Sequence, residues 1–136
     1  MDKAAALERY RALPVPSTTE EAWRFTDLRG FDPDGFSNDG DVLGEPASIV
    51  EIDVAGSVIV GEKGMYIGDV PEGVTIEPLR EDHPLLGTLV GIDEKFAAHN
   101  AAMLANGILV HVERGVELER PIYIRLQNTI EGGSLF

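Results

Sequence analysis

The stretch GILVHVERGVELERPIYIRL, residues 107–126, decides how this chain is read. Ile108, Val110 and Val112 point one way, Val116 and Leu118 continue after Gly115, and Ile122, Ile124 and Leu126 follow Pro121. The period of two and the short intervals leave no room for a helix. Short strands joined by tight corners predict a sandwich, a barrel or a β-helix. The residues that follow, ending Gly132, Gly133, Ser134, Leu135 and Phe136, add no further strand to close the row. A truncated chain is therefore expected, with an open strand edge that something else covers or that pairs two copies into a homodimer.

Upstream, residues 84–104 are expected to be helical. Pro84 opens the segment, Leu85, Leu86, Leu89 and Val90 fill its first part, and Gly91 divides it. In the second part Phe96, Ala97, Asn100, Ala101 and Leu104 make one stripe at the helical period,. Burying the Asn100 amide there requires a hydrogen bond, so Asn100 is expected to tie the helix to the following turn or strand. Asn106 and Gly107 supply a turn able to take positive φ.

Earlier still, Val50, Ile52 and Val54 alternate with Glu51 and Asp53, Val58, Ile59 and Val60 lie between Gly56 and Gly61, and Val74 and Ile76 alternate with Thr75 before Pro78. Each reads as a strand. Residues 28–46 are rich in Gly, Asp and Pro and read as a loop,. At the N-terminus the run of alanines at 4–6, with Ala6, Leu7, Tyr10 and Leu13 sharing a side, predicts a helix over 3–13 that Pro14 stops,. Ser17 with Glu20 and Thr18 with Glu21 offer capping boxes for a short helix reaching Trp23, with Trp23 and Phe25 as its anchors,. The expected divisions are 1–46, a helical segment and acidic loop; 47–79, a small β region; 80–106, a helical connector; and 107–136, the first strands of an incomplete β core.

With 136 residues, 43% hydrophobic and 26% charged, the chain can bury a core,. Its net charge of −13 argues against nucleic acid, whose phosphates are held by clustered Lys and Arg,. Without cysteine there is no disulfide, thiolate metal site or Cys nucleophile within this chain,. No apolar run reaches the length of about 18 residues that a membrane span needs, nor is there a secretory signal, so the default is cytoplasmic with no membrane contact.

Motif spacing yields no catalytic, cofactor-binding or metal-ligating residue. A calcium loop starting at Asp32 places Ser37 where glycine is needed and Leu43 where a bidentate Glu is needed,. Asp34, Asn38, Asp39 and Asp41 are ordinary turn material. His83, His99 and His111 lack the i, i+4 zinc spacing, and His99 and His111 are expected at the surface or its boundary,. The serines lack the Gly-x-Ser-x-Gly setting, and Gly56, Gly61 and Gly64 miss both phosphate-loop spacings,.

The series Pro14, Pro16, Glu21, Trp23, Arg24, Phe25, Thr26 and Leu28 resembles the opening of SufD, in the SufB/SufD family of iron–sulfur cluster assembly scaffolds. Pro71, Glu72, Gly73, Val74, Ile76, Pro78 and Leu79 look like the family's Pro-x-Gly-Val segment. Phe96, Ala97, Asn100, Ala101, Gly107, Ile108, Val110, Val112, Gly115, Val116, Pro121 and Ile122 look like the stretch entering its β-helix. His99 stands where the family usually has leucine, and residues 31–46 match nothing in it. The resemblance implies an α+β fold: N-terminal helices and a small β region leading into the first strands of a right-handed parallel β-helix. It implies a non-enzymatic scaffold in the SUF machinery, with SufB and the ATPase SufC as partners through regions mostly beyond Phe136, and no cofactor in this portion. A reading from a different class is a free-standing acidic β-rich module that binds carbohydrate or a basic protein.

Overall fold

A computed structural model describes residues 2–37, 39–43 and 52–130. It is mixed α+β and divides into two compact units. The first comprises Met1–Phe36 and Glu81–Leu104, the second Ser37–Arg80 and Ala105–Phe136.

In the first unit α1 spans Lys3–Ala12 and α2 spans Lys95–Met103. Asp2 caps α1 by accepting from the Ala4 and Ala5 N–H groups at 2.9 and 3.2 Å, and the chain turns extended at Leu13 before Pro14,. Ala6, Ala98 and Ala101 are buried where the two helices meet, and their small side chains allow close approach,. A 3₁₀ turn, Glu21–Trp23, follows α1. Ser17 donates its N–H to the Glu20 carboxylate at 2.9 Å, which is one half of the expected capping box,. A second 3₁₀ turn, Pro33–Gly35, opens at Asp32, whose side chain accepts the Asp34 N–H at 3.0 Å.

The helix expected over 84–104 is shorter. Residues 84–94 form successive turns, and only α2 is helical. Gly87 at φ +81° is outside the right-handed helical region, so the Leu85, Leu86, Leu89, Val90 pattern cannot wind into a helix,. Leu89 stands almost entirely in solvent. The phase of α2 also differs from expectation: Ala98, His99 and Ala101 are buried and Asn100 is exposed. Asn100 therefore needs no buried partner.

In the second unit β1 (Gly56–Gly61), β2 (Gly64–Ile67) and β5 (Ile122–Leu126) form a sheet in the order β2-β1-β5. β1 and β2 are an antiparallel hairpin turning at Glu62 and Lys63, whereas β1 and β5 run parallel with Gly56 opposite Ile122 and Val60 opposite Leu126. β3 (Val74–Pro78) pairs antiparallel with β4 (Ile108–Val112), Ile76 facing Val110. Val58, Val60 and Ile76 form the core, packed by Met65, Ile67, Val74, Ile108, Val110 and Ile122. Ile59 is buried as well, so β1 is covered on both faces, as its continuous apolar run and central position require,.

Not every expected strand is found among the described residues. Val116 and Leu118 lie in irregular chain, because Val116 instead packs over Gly73, whose φ of +74° and missing Cβ make the space,. The strand expected over 50–54 falls partly outside the described residues, and 52–54 form none. The last strands do not lie beside one another but pair with β1 and β3 upstream.

Candidate functional site

The densest grouping of titratable side chains in the first unit surrounds Tyr10. Tyr10, 3% exposed, lies at the α1–α2 contact. The hydroxyl donates to the Asp34 carboxylate at 2.6 Å. The His99 ring stacks on Tyr10 with centroids 4.3 Å apart and planes within 13°. From α2, Lys95 donates its ammonium to the Tyr10 carbonyl at 2.9 Å and lies 3.7 Å from the ring centroid,. Three residues distant in sequence from Tyr10, namely Asp34, Lys95 and His99, thus converge on one phenol.

The electrostatics follow from this geometry. Burial first, then the Asp34 hydrogen bond and the Asp34 and Asp32 charges, push the Tyr10 hydroxyl up to about 12,. Burial lowers the His99 imidazole below its usual value, with Asp34 opposing and Lys95 reinforcing the shift. Tyr10 is thereby moved away from proton exchange at neutral pH. The arrangement fastens α1, α2 and the Asp32–Asp34 turn to one another. His99 is buried at 5% exposure rather than at the boundary as expected: the neighbouring tyrosine offers a flat aromatic face that an uncharged imidazole covers well,.

Beside this cluster the Trp23 ring meets Phe96 at 5.3 Å, Phe96 meets Phe31 edge-on at 6.0 Å, and Phe31 meets Phe36 at 5.5 Å. Trp23 is the anchor expected for its turn. Phe25 is not: it is 88% exposed and carries only the Arg24 guanidinium over its ring. A groove of about 190 Å³ runs past Trp23 between Pro14, Pro16 and Phe96, with Glu20, Asp93 and Glu94 at its margin.

In the second unit Glu62 is buried in the β1–β2 turn, and both its oxygens accept from Thr129, the N–H at 3.1 and 3.2 Å and the hydroxyl at 2.8 Å. Gly40 lies against the same pair, so closely that a Cβ there would fall 2.4 Å from Thr129 Oγ1. Asn106 donates from Nδ2 to the Gly61 and Gly64 carbonyls at 2.9 Å each, and accepts the Gly107 N–H at 3.0 Å. Its place is a side-chain clamp on the hairpin; neither Asn106 nor Gly107 takes positive φ.

The acidic run is distributed among separate tasks. Asp32 and Asp34 serve the turn and Tyr10, Asp39 pairs with Lys63 at 2.5 Å, and the Asp41 N–H is held by Thr129. His83 accepts the Leu85 N–H at 3.3 Å, and His111 is exposed on β4 opposite Thr75. Among the described residues no group of three or more His, Asp or Glu side chains is arranged to hold a metal ion. No helix among them is long and apolar enough to cross a membrane. The chain matches no protein-family model, no curated protein and no solved structure.

Proposed function

We propose that this chain is the front part of a SufD-like scaffold, whose complete form joins SufB and the ATPase SufC to assemble iron–sulfur clusters in the cytoplasm. The observation that carries this reading is the parallel pairing of β1 with β5. The chain leaves β1, makes an excursion of 60 residues and returns to lie beside it in the same direction, matched over five residue pairs. A right-handed parallel β-helix grows by this move, each turn laying a strand against the one before, and β5 ends its sheet with an edge turned toward no described strand,. The segments that resemble the family supply this framework: Gly73 and Val74 enter β3, and Pro121 and Ile122 enter β5. The clusters around Tyr10, Glu62 and Asn106 hold backbone segments together, as a scaffold needs.

The test is co-purification of the natural reading frame with the SufB-like and SufC-like proteins of the same genome. A stoichiometric complex is the expected result. A frame that ends at Phe136 with no such neighbours would overturn the reading. So would a stoichiometric chromophore on residues 1–136 after anaerobic reconstitution with iron and sulfide, because this portion is proposed to hold no cluster. The same open edge predicts that the isolated chain self-associates, and light scattering showing a clean monomer at high concentration would count against it.

A further inference from the structure

We propose that the groove beside Trp23 docks a segment of a partner protein in which an Arg or Lys is flanked by apolar side chains. This proposal does not depend on the scaffold reading. Its apolar walls are Pro14, Pro16, Trp23 and Phe96, and its margin carries Glu20, Asp93 and Glu94. Across the same Asp93 and Glu94 a second hollow of about 300 Å³ opens against Leu89, Val90 and Ala97. Two apolar surfaces therefore flank one pair of carboxylates.

Three observations give the occupant its chemistry. Leu89 is 97% and Val90 66% exposed, although both are large and apolar and neighbour a groove,. Glu81 is paired with Lys3, but neither Asp93 nor Glu94 forms an ion pair with a described residue. Lys95 lines the groove, but its ammonium binds the Tyr10 carbonyl and ring and forms no ion pair with Asp93 or Glu94. An apolar segment alone would leave the carboxylates facing a dry contact, and a purely basic one would leave Leu89 and Val90 in water. A guanidinium between apolar neighbours answers both, with its plane able to lie on the indole of Trp23. A nucleic acid or an acidic peptide would meet like charge.

Trp23 is the only tryptophan in the chain, so its emission reports this groove. The unmodified chain is titrated with a short synthetic peptide alternating leucine and arginine, with a leucine–glutamate peptide as control. A saturable, one-to-one change in Trp23 emission is expected with the first and none with the second. Replacing Asp93→Asn together with Glu94→Gln should weaken binding roughly five-fold, as loss of two partly exposed charge contacts implies. Circular dichroism on that variant checks that the fold is retained. The pair Glu117→Gln and Glu119→Gln, exposed acids of the second unit, should leave affinity unchanged. Equal weakening by both pairs would show diffuse attraction to an acidic chain and overturn the proposal, as would binding that leaves Trp23 emission unmoved. An emission change on raising the chain's own concentration would assign the groove to a second copy and overturn it too.

Discussion

Tyr10→Phe removes one oxygen and leaves the rest of the cluster in place. The phenyl ring keeps its face on His99 and its other contact with the Lys95 ammonium, so the change isolates the 2.6 Å hydrogen bond to Asp34. A hydrogen bond to a charged group contributes about 1.5–3 kcal/mol. Asp34 is exposed and regains water when the hydroxyl is lost, which puts the expected loss at or slightly below the lower end, about 1 kcal/mol,. In a unit of this size that corresponds to a fall in Tm of roughly 5 °C, read by thermal denaturation at neutral pH. The same substitution has a signature in alkali. The folded state holds the Tyr10 proton up to about 12, above the ordinary 10.0, so the unfolded chain releases it first,. The stability tied to this proton is complete below pH 10 and is lost as pH rises through 10 toward 12. Absorbance titration should show a late-ionising phenol in the parent chain that Y10F lacks. A Y10F chain as stable as the parent at neutral pH, or a parent whose tyrosines all ionise in one early step, would refute the reasoning.

Other perturbations probe the remaining contacts. His99→Phe keeps a flat ring on Tyr10 and removes a base that burial holds neutral, so stability lost in the parent as pH falls below about 6.5 should be flattened in the variant, as read by denaturant midpoints across that range,. Gly40→Ala forces a methyl against Thr129 and Glu62 and should cost about 1–3 kcal/mol in chemical denaturation, whereas Gly30→Ala, with open space around it but φ +81°, should cost about 1 kcal/mol through backbone strain alone,. Asn106→Asp replaces the amide that donates to Gly61 and Gly64 with an acceptor facing two carbonyls. It should destabilise the second unit by about 2 kcal/mol, more than Asn106→Ala, and hydrogen exchange should localise the loss to the β1–β2 hairpin,.

Much of the strand framework was legible because the apolar spacing at 58–60, 74–76, 108–112 and 122–126 has one dominant reading. β2 was not, since Gly64, Met65, Tyr66 and Ile67 show no clean alternation and Tyr66 is exposed on an edge strand. Which strands pair was also hidden: periodicity assigns faces, but the β1–β5 register depends on Gly56 and Ile122 meeting across a long excursion,. The false helix over 84–94 shows the opposite error. Leu85, Leu86, Leu89 and Val90 imitate a buried stripe, and Gly87 carries the contrary signal, which only its positive φ makes decisive.

The clusters were less legible than the strands for a reason that lies in the chemistry. Tyr10, Asp34, Lys95 and His99 are each ordinary in local sequence, and they become a unit only when α1 and α2 are brought together. Counting histidine as polar shifted the expected face of α2 by one residue, toward Asn100. The outcome depends on protonation: a neutral imidazole stacks on a phenol at little cost, whereas a charged one would need more than the single nearby carboxylate of Asp34, with Lys95 opposing it,. Burial of His99 and neutrality of His99 are therefore one condition, in which burial weighs most and the Lys95 charge least,.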